Sequence, residues 1–161
     1  MTACEILLTQ GQVALVDAEH YEWLMQWKWH AHRNDRQWYA FTRIAGQPSY
    51  CLAMHRVILP TPRGLVVDHI DGNGLNNRRC NLRMATTQQN IANRQLSRNN
   101  TSGYKGVYLK SGRWEARLGS GSLGTRDYLG TFQTPEEAAH AYNDAATKRY
   151  GSYARLNIIE K

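Results

Sequence analysis

Apolar and polar positions change period several times along the chain, and the changes mark its elements. EILL and QVALV are short extended runs on either side of Gln10-Gly11, which predicts a hairpin. A helix is expected next, capped by Asp17 and running to roughly Met25, with Tyr21, Leu24 and Met25 on one face. WKWHAH and WYAFTR alternate as strands do around Asn34-Asp35, and SYCLAMHRVI reads as a strand entering a short helix closed by Pro60 and Pro62.

From residue 64 the order becomes strand (GLVVDHI), turn-rich loop (DGNGLNN), strand (CNLRMA) and helix. Thr86 caps that helix, with Gln89 completing a capping box, and the helix should end near Arg94. QLSRNNTSG is polar and uncommitted, as a linker would be. Beyond it YKGVYLK, RWEARL and RDYLGTF give three strands of period two, divided by Ser-Gly and Gly-Ser-Gly turns. The last helix carries the clearest signals. Thr134 caps it, Pro135 fills its first turn, Glu137 closes a capping box and Gly151 ends it. Ala138, Ala141, Tyr142 and Ala145 would form its packing face.

Composition narrows the class. The chain has 161 residues, 42% hydrophobic and 20% charged, which fits a soluble globular protein of one or two small domains. No apolar run approaches the roughly eighteen residues of a membrane span, and no secretory leader is evident, so an intracellular, cytoplasmic setting without membrane contact is expected. Cys4, Cys51 and Cys80 form no C-x-x-C pair, so neither structural zinc nor a disulfide framework is expected. Charge changes the picture more. The net charge is +7, and between Asn76 and Arg117 nine Lys/Arg face a single acid, Glu115, which points to nucleic acid.

The candidate chemistry lies in VVDHIDGNGLNNRRCNLRMATTQQNIANR. Asp68 ends a strand and Asn90 sits one turn into the helix behind the hairpin, so a carboxylate and an amide oxygen could meet at one divalent ion. His69 points to the other side of the strand, better placed to activate water, and Asn81 can reach across the loop to steady it. Asn73, Asn76 and Asn77 read as turn formers beside Gly72 and Gly74. An EF-hand is excluded because Leu75 falls where an oxygen ligand is needed, and no H-E-x-x-H helix exists. His55 reads as a structural histidine before a phosphate contact.

Asp68-His69, Asn81 and Asn90, at spacings of twelve and nine, resemble the ββα-metal (His-Me finger) motif of HNH nucleases, and DHIDGN with NLR resembles the phage and intron-encoded homing members. The resemblance implies an α+β nuclease fold. It makes His69 the general base and Asn81 the loop-ordering residue, with Asp68 and Asn90 holding one divalent metal, magnesium first and manganese second. Asparagine replaces the histidine of the family's usual last position, as in many homing members, and Asn93 is a fallback ligand. Residues 101–157, through YKGV, Arg113-Trp114, YLGTF, EEAAHAYN and ARLN, resemble the DNA-binding domain of plant ethylene-response factors, a three-stranded antiparallel sheet packed on one helix. That resemblance implies DNA contacts at Lys105, Tyr108, Lys110, Arg113, Trp114, Arg117, Arg126 and Tyr128, and Lys105 and Trp114 are expected to share the sheet face opposite the helix; beside the nuclease motif, Arg83 is expected on flanking phosphates.

The expected organisation is a nuclease domain at 1–96, with its ββα core at about 64–95, a linker at 97–103 and a DNA-binding domain at 104–161. The expected activity is metal-dependent, sequence-specific cleavage of double-stranded DNA by a phage or mobile-element protein, acting as a monomer or a weak dimer. The alternative is a DNA-binding regulator that kept the fold and lost the cut.

Overall fold

A computed structural model describes residues 2–34, 37–44, 47–119 and 126–159. Asp35 of one predicted turn and Ser120 and Gly121 of the Gly-Ser-Gly turn lie outside them. The described chain is mixed α+β, with antiparallel sheets and few helices, and it divides into two compact units, Met1–Ala85 and Thr86–Lys161.

In the first unit β1 (Ala3–Leu7) and β2 (Val13–Asp17) pair antiparallel around a tight turn in which Gln10 and Gly11 both take positive φ. Helix α1 (Ala18–Leu24) follows. Asp17 stands at its N-cap with extended backbone, but its side chain makes no capping bond. The carboxylate accepts the backbone N–H of Arg79 at 2.6 Å instead. Asp17 is buried where β2 runs beside the 75–79 segment, and there the orphan donor is a distant one. Leu24 is buried as expected, whereas Met25, past the end of the helix, is exposed.

Strands β3 (His30–Asn34), β4 (Gln37–Ile44) and β5 (Gln47–Ala53) form an antiparallel sheet, and α2 (Met54–Ile58) leaves its end. Ile6, Ala14, Val16, Leu24, Trp29, Ala31, Ala40 and Met54 fill the core between these elements. A fully buried Leu or Met side chain such as Leu24 or Met54 is worth about 1.5–3 kcal/mol. The hairpin of β6 (Val66–His69) and β7 (Leu82–Ala85) adds a smaller cluster of Leu59, Val67 and Leu82. Its connecting loop is clipped to β2: Leu15 N–H donates to the Leu75 carbonyl at 2.8 Å, and Asn77 N–H donates to the Leu15 carbonyl at 2.7 Å. Gly74 makes a close approach possible there, since a Cβ at that position would stand 2.6 Å from the Tyr39 ring and closer still to the Trp38 carbonyl.

The second unit begins with α3 (Thr87–Ala92), whose capping box of Thr86 and Gln89 is formed in both directions. Strands β8 (Val107–Lys110), β9 (Arg113–Gly119) and β10 (Arg126–Phe132) make an antiparallel sheet with β9 central and a bulge between Tyr128 and Gly130. Helix α4 (Pro135–Tyr150) packs on it, capped by Thr134 and Glu137 as the sequence predicts. It buries Ala138, Ala139, Tyr142, Ala146 and Tyr150, so the packing face is rotated slightly from the expected one and Ala141 and Ala145 lie at its margin. Among the described residues no helix is long and apolar enough to cross a membrane.

Candidate active site

Strand alternation sends Asp68 and His69 to opposite faces of the β6–β7 hairpin. Asp68 is paired across the hairpin with Arg83, and its Oδ2 accepts from Arg83 Nε and Nη2, both at 2.8 Å. The carboxylate is almost completely buried, so this charge-assisted contact compensates its desolvation. The sequence puts Arg83 on phosphate and Asp68 on metal; in the fold the two side chains meet each other.

His69 is buried on the other face. Its Nε2 lies 3.3 Å from Asn77 Oδ1. The His55 ring meets it edge to face with centroids 5.1 Å apart, and the Tyr39 ring stands 5.9 Å from each imidazole. Three elements therefore converge on one imidazole: β6 carries it, α2 brings His55 and β4 brings Tyr39. Burial, with the charges of His69 and Arg56 adding to it, pushes His55 down to about 3. Burial also lowers His69, opposed by the Asn77 hydrogen bond and by the charges of Asp71 and Asp68. Both imidazoles are consequently neutral near pH 7, the form in which a histidine can accept a proton.

The asparagines of the connecting loop divide the work differently from what the sequence suggests. Asn81 does not reach the imidazole. Its Oδ1 accepts from Asp71 N–H at 3.1 Å, and its Nδ2 donates to Asp71 Oδ1 at 2.9 Å and to the Asn76 carbonyl at 2.8 Å. Asp71 in turn accepts from Asn73 N–H and Asn76 Nδ2, each at 2.7 Å, which holds its acid below the ordinary carboxylate range although burial opposes this. Asn73 and Asn76 are turn residues as expected. Asn77 is not; it is fully buried and carries the contact to His69. Its only sequence signal is that it is one asparagine among several, and His55 belongs to no motif.

In the second unit Asn90 lies half-buried on α3, and Asn93, its buried C-cap, is the next asparagine along. Lys105 Nζ donates to the Ala92 carbonyl and, at 2.9 Å, to the Arg94 carbonyl, so it closes the C-terminal end of α3. Burial, with the nearby charges of Arg155 and Arg94, lowers this lysine to about 8. Among the described residues Asp17, Glu19 and His20 bring three potential ligand atoms within 4.8 Å of one another; Asp17 is already engaged with Arg79.

The face of the β8–β10 sheet away from α4 is polar, cationic and aromatic. Tyr108 stands opposite Glu115, Lys110 opposite Arg113, and Tyr128 opposite Arg117. Glu115 accepts from Arg117 Nη2 at 2.6 Å and pairs with Lys110 at 3.4 Å; the Arg117 hydrogen bonds first, and Lys110 after them, hold its acid low. Arg126 lies over the Tyr108 ring at 5.1 Å and donates to its hydroxyl at 2.9 Å. Trp114 is absent from this face. It shares the parity of Ala116 and Leu118, and it packs with Val107 and Ala138 beneath the helix. The expected Lys105–Trp114 pairing on the open face does not occur, because one closes α3 and the other is core.

The family model described as HNH endonuclease matches residues 60–92. An HNH endonuclease of Acanthamoeba polyphaga mimivirus is 30% identical over 158 residues, covering 94% of this chain and 78% of that protein. Dehydration-responsive element-binding protein 2D of Arabidopsis thaliana is 48% identical over 58 residues, 35% of this chain and 28% of the plant protein. Ethylene-responsive transcription factor ERN1 of Medicago truncatula is 36% identical over 86 residues, 53% of this chain and 32% of that protein. The chain thus spans about a third or less of these two plant relatives. No solved structure matches.

Proposed function

The chain belongs to the HNH endonuclease family, and from that premise we propose that it is a sequence-specific, metal-dependent endonuclease of homing type acting on double-stranded DNA. The observation that carries this reading is the buried His69, held among Asn77, His55 and Tyr39 on the hairpin that the family model covers. A polar site built around one neutral imidazole suits a general base.

In the proposed reaction His69 takes a proton from a water in line with the scissile phosphodiester. The new P–O bond forms as the bond to the 3′ oxygen breaks. Asn81 keeps the 71–76 loop in shape beside the base. Arg83 holds the Asp68 carboxylate in place and adds positive charge next to the phosphate. Asp68 and Asn90 offer a carboxylate and an amide oxygen, the hard donors that magnesium or manganese prefers, and these two residues are the ones we assign to the metal. A divalent ion there would stabilise the charge that gathers on the phosphate and the departing oxygen.

The functional division we propose is a ββα-metal nuclease domain at 1–96, a linker at 97–103 and an ethylene-response-factor-like domain at 104–161. Tyr108, Lys110, Arg113, Arg117, Arg126 and Tyr128 grip the duplex from the open sheet face, supported from behind by Lys105 and Trp114. The partial similarity to plant DNA-binding proteins supports this use of the sheet. The test is conversion of supercoiled plasmid with magnesium, with manganese and with chelator. Nicked or linear product that needs the metal, and that Asp68→Ala abolishes, is expected; metal-independent cutting, or equal cutting by Asp68→Ala, would refute the proposal.

A further inference from the structure

Building on the nuclease reading, we infer that Asn77 is a positioning residue that fixes the tautomer of His69 and makes Nδ1 its proton-accepting nitrogen. Asn77 is fully buried, so water does not compete for its amide. Its Nδ2 donates to the Leu75 carbonyl at 3.2 Å, a group that can only accept. The amide is thereby turned with Oδ1 toward His69 Nε2, 3.3 Å away. An amide oxygen has no proton to give, so Nε2 must carry the N–H, and the lone pair of the neutral ring resides on Nδ1.

The backbone makes this orientation rigid. Asn77 N–H donates to the Leu15 carbonyl, while Leu15 N–H donates to the same Leu75 carbonyl that orients the Asn77 amide. One residue of β2 thus anchors both parts of the device. The first hairpin of the chain thereby sets which atom of His69 does the chemistry. The rings of His55 and Tyr39 confine the plane of the imidazole, and Asn77 selects its edge.

Nitrogen-15 histidine labelling of the full chain, read by long-range proton–nitrogen correlation at mildly alkaline pH, tests the assignment. The His69→Ala spectrum identifies the His69 signals among the six histidines. The wild type should show His69 as the Nε2–H tautomer. Asn77→Leu, which keeps the volume and removes the acceptor, should give a mixture of tautomers. It should also lower kcat for DNA cleavage roughly 10- to 100-fold with KM for DNA unchanged. Asn77→Asp, which keeps an acceptor oxygen, should retain the Nε2–H pattern and most of kcat. An Nδ1–H tautomer in the wild type overturns the inference, and that measurement needs no variant to fold. So does Asn77→Leu with wild-type tautomer and wild-type kcat. A wild type with the Nε2–H pattern that cuts no DNA upholds the tautomer and overturns the nuclease reading.

Discussion

Replacing His55 by phenylalanine should flatten the acid side of the stability curve. The native fold holds this imidazole neutral, moved from its ordinary 6.5 to about 3. The unfolded chain therefore binds a proton between those values that the folded chain refuses. Stability is complete above pH 6.5 and is lost as pH falls toward 3, each tenfold rise in acidity costing about 1.4 kcal/mol. Between pH 7 and pH 5 this amounts to about 2 kcal/mol from His55 alone. Phenylalanine keeps a ring against His69 and Tyr39 and removes the proton site. Urea unfolding followed by tryptophan fluorescence suits the measurement, because Trp23, Trp27, Trp29 and Trp38 all lie in the first unit and only Trp114 lies in the second. The wild type should lose about 2 kcal/mol more than His55→Phe over that interval. His69 titrates in both proteins and largely cancels. Parallel curves, or a steeper loss in the variant, would refute the burial of a neutral His55 against the His69 imidazole.

Other outcomes follow from single interactions. Removing Arg83 as Arg83→Met should destabilise the first unit by about 3 kcal/mol by taking the guanidinium away from a buried carboxylate, and Asp68→Asn with Arg83→Met should recover much of that in denaturation. Gly106 has φ +77, and a Cβ there would stand 2.7 Å from the Arg117 carbonyl and run into the Tyr142 ring; Gly106→Ala should cost the second unit about 2 kcal/mol in a thermal melt, while the first keeps its transition. Gly74→Ala should lift the loop from Tyr39 and slow cleavage with little change in DNA affinity, checked by comparing kcat with gel-shift titration. Arg113→Ala on the open sheet face should reduce the log–log salt slope of DNA binding by about 0.9, the share of one neutralised phosphate.

Local signals carried the fold well. Both capping boxes, at Thr86 and Thr134, are local hydrogen-bond patterns within four residues, and both form as the sequence predicts. The three strands of the second sheet are legible because their period of two is strict and their turns are rich in glycine. Asp17 departs from expectation because its environment is not local: a capping residue becomes the partner of Arg79, 62 positions away, once β2 is buried beside the loop. Trp114 falls on the other face from the one the family resemblance suggests, since its alternation with Ala116 and Leu118 seats it beneath the helix. The site itself is half legible. Asp68, His69 and Asn81 sit on the hairpin that the sequence outlines, but the imidazole's neighbours come from β4, α2 and the loop. Nothing in residues 64–95 says that Tyr39 and His55 will arrive there. Nor can the sequence choose between Asn77 and Asn81, since both lie within reach in an unfolded loop and only burial against β2 separates them.

In the proposed reaction His69 is the general base of a DNA endonuclease. Single-turnover cleavage of duplex DNA by wild type and His69→Ala in magnesium, with DNA affinity measured on the same preparations, tests it most directly. Equal binding and a cleavage rate lowered at least about 100-fold in the variant are expected. Cleavage by His69→Ala at the wild-type rate, with DNA bound equally well, would contradict it.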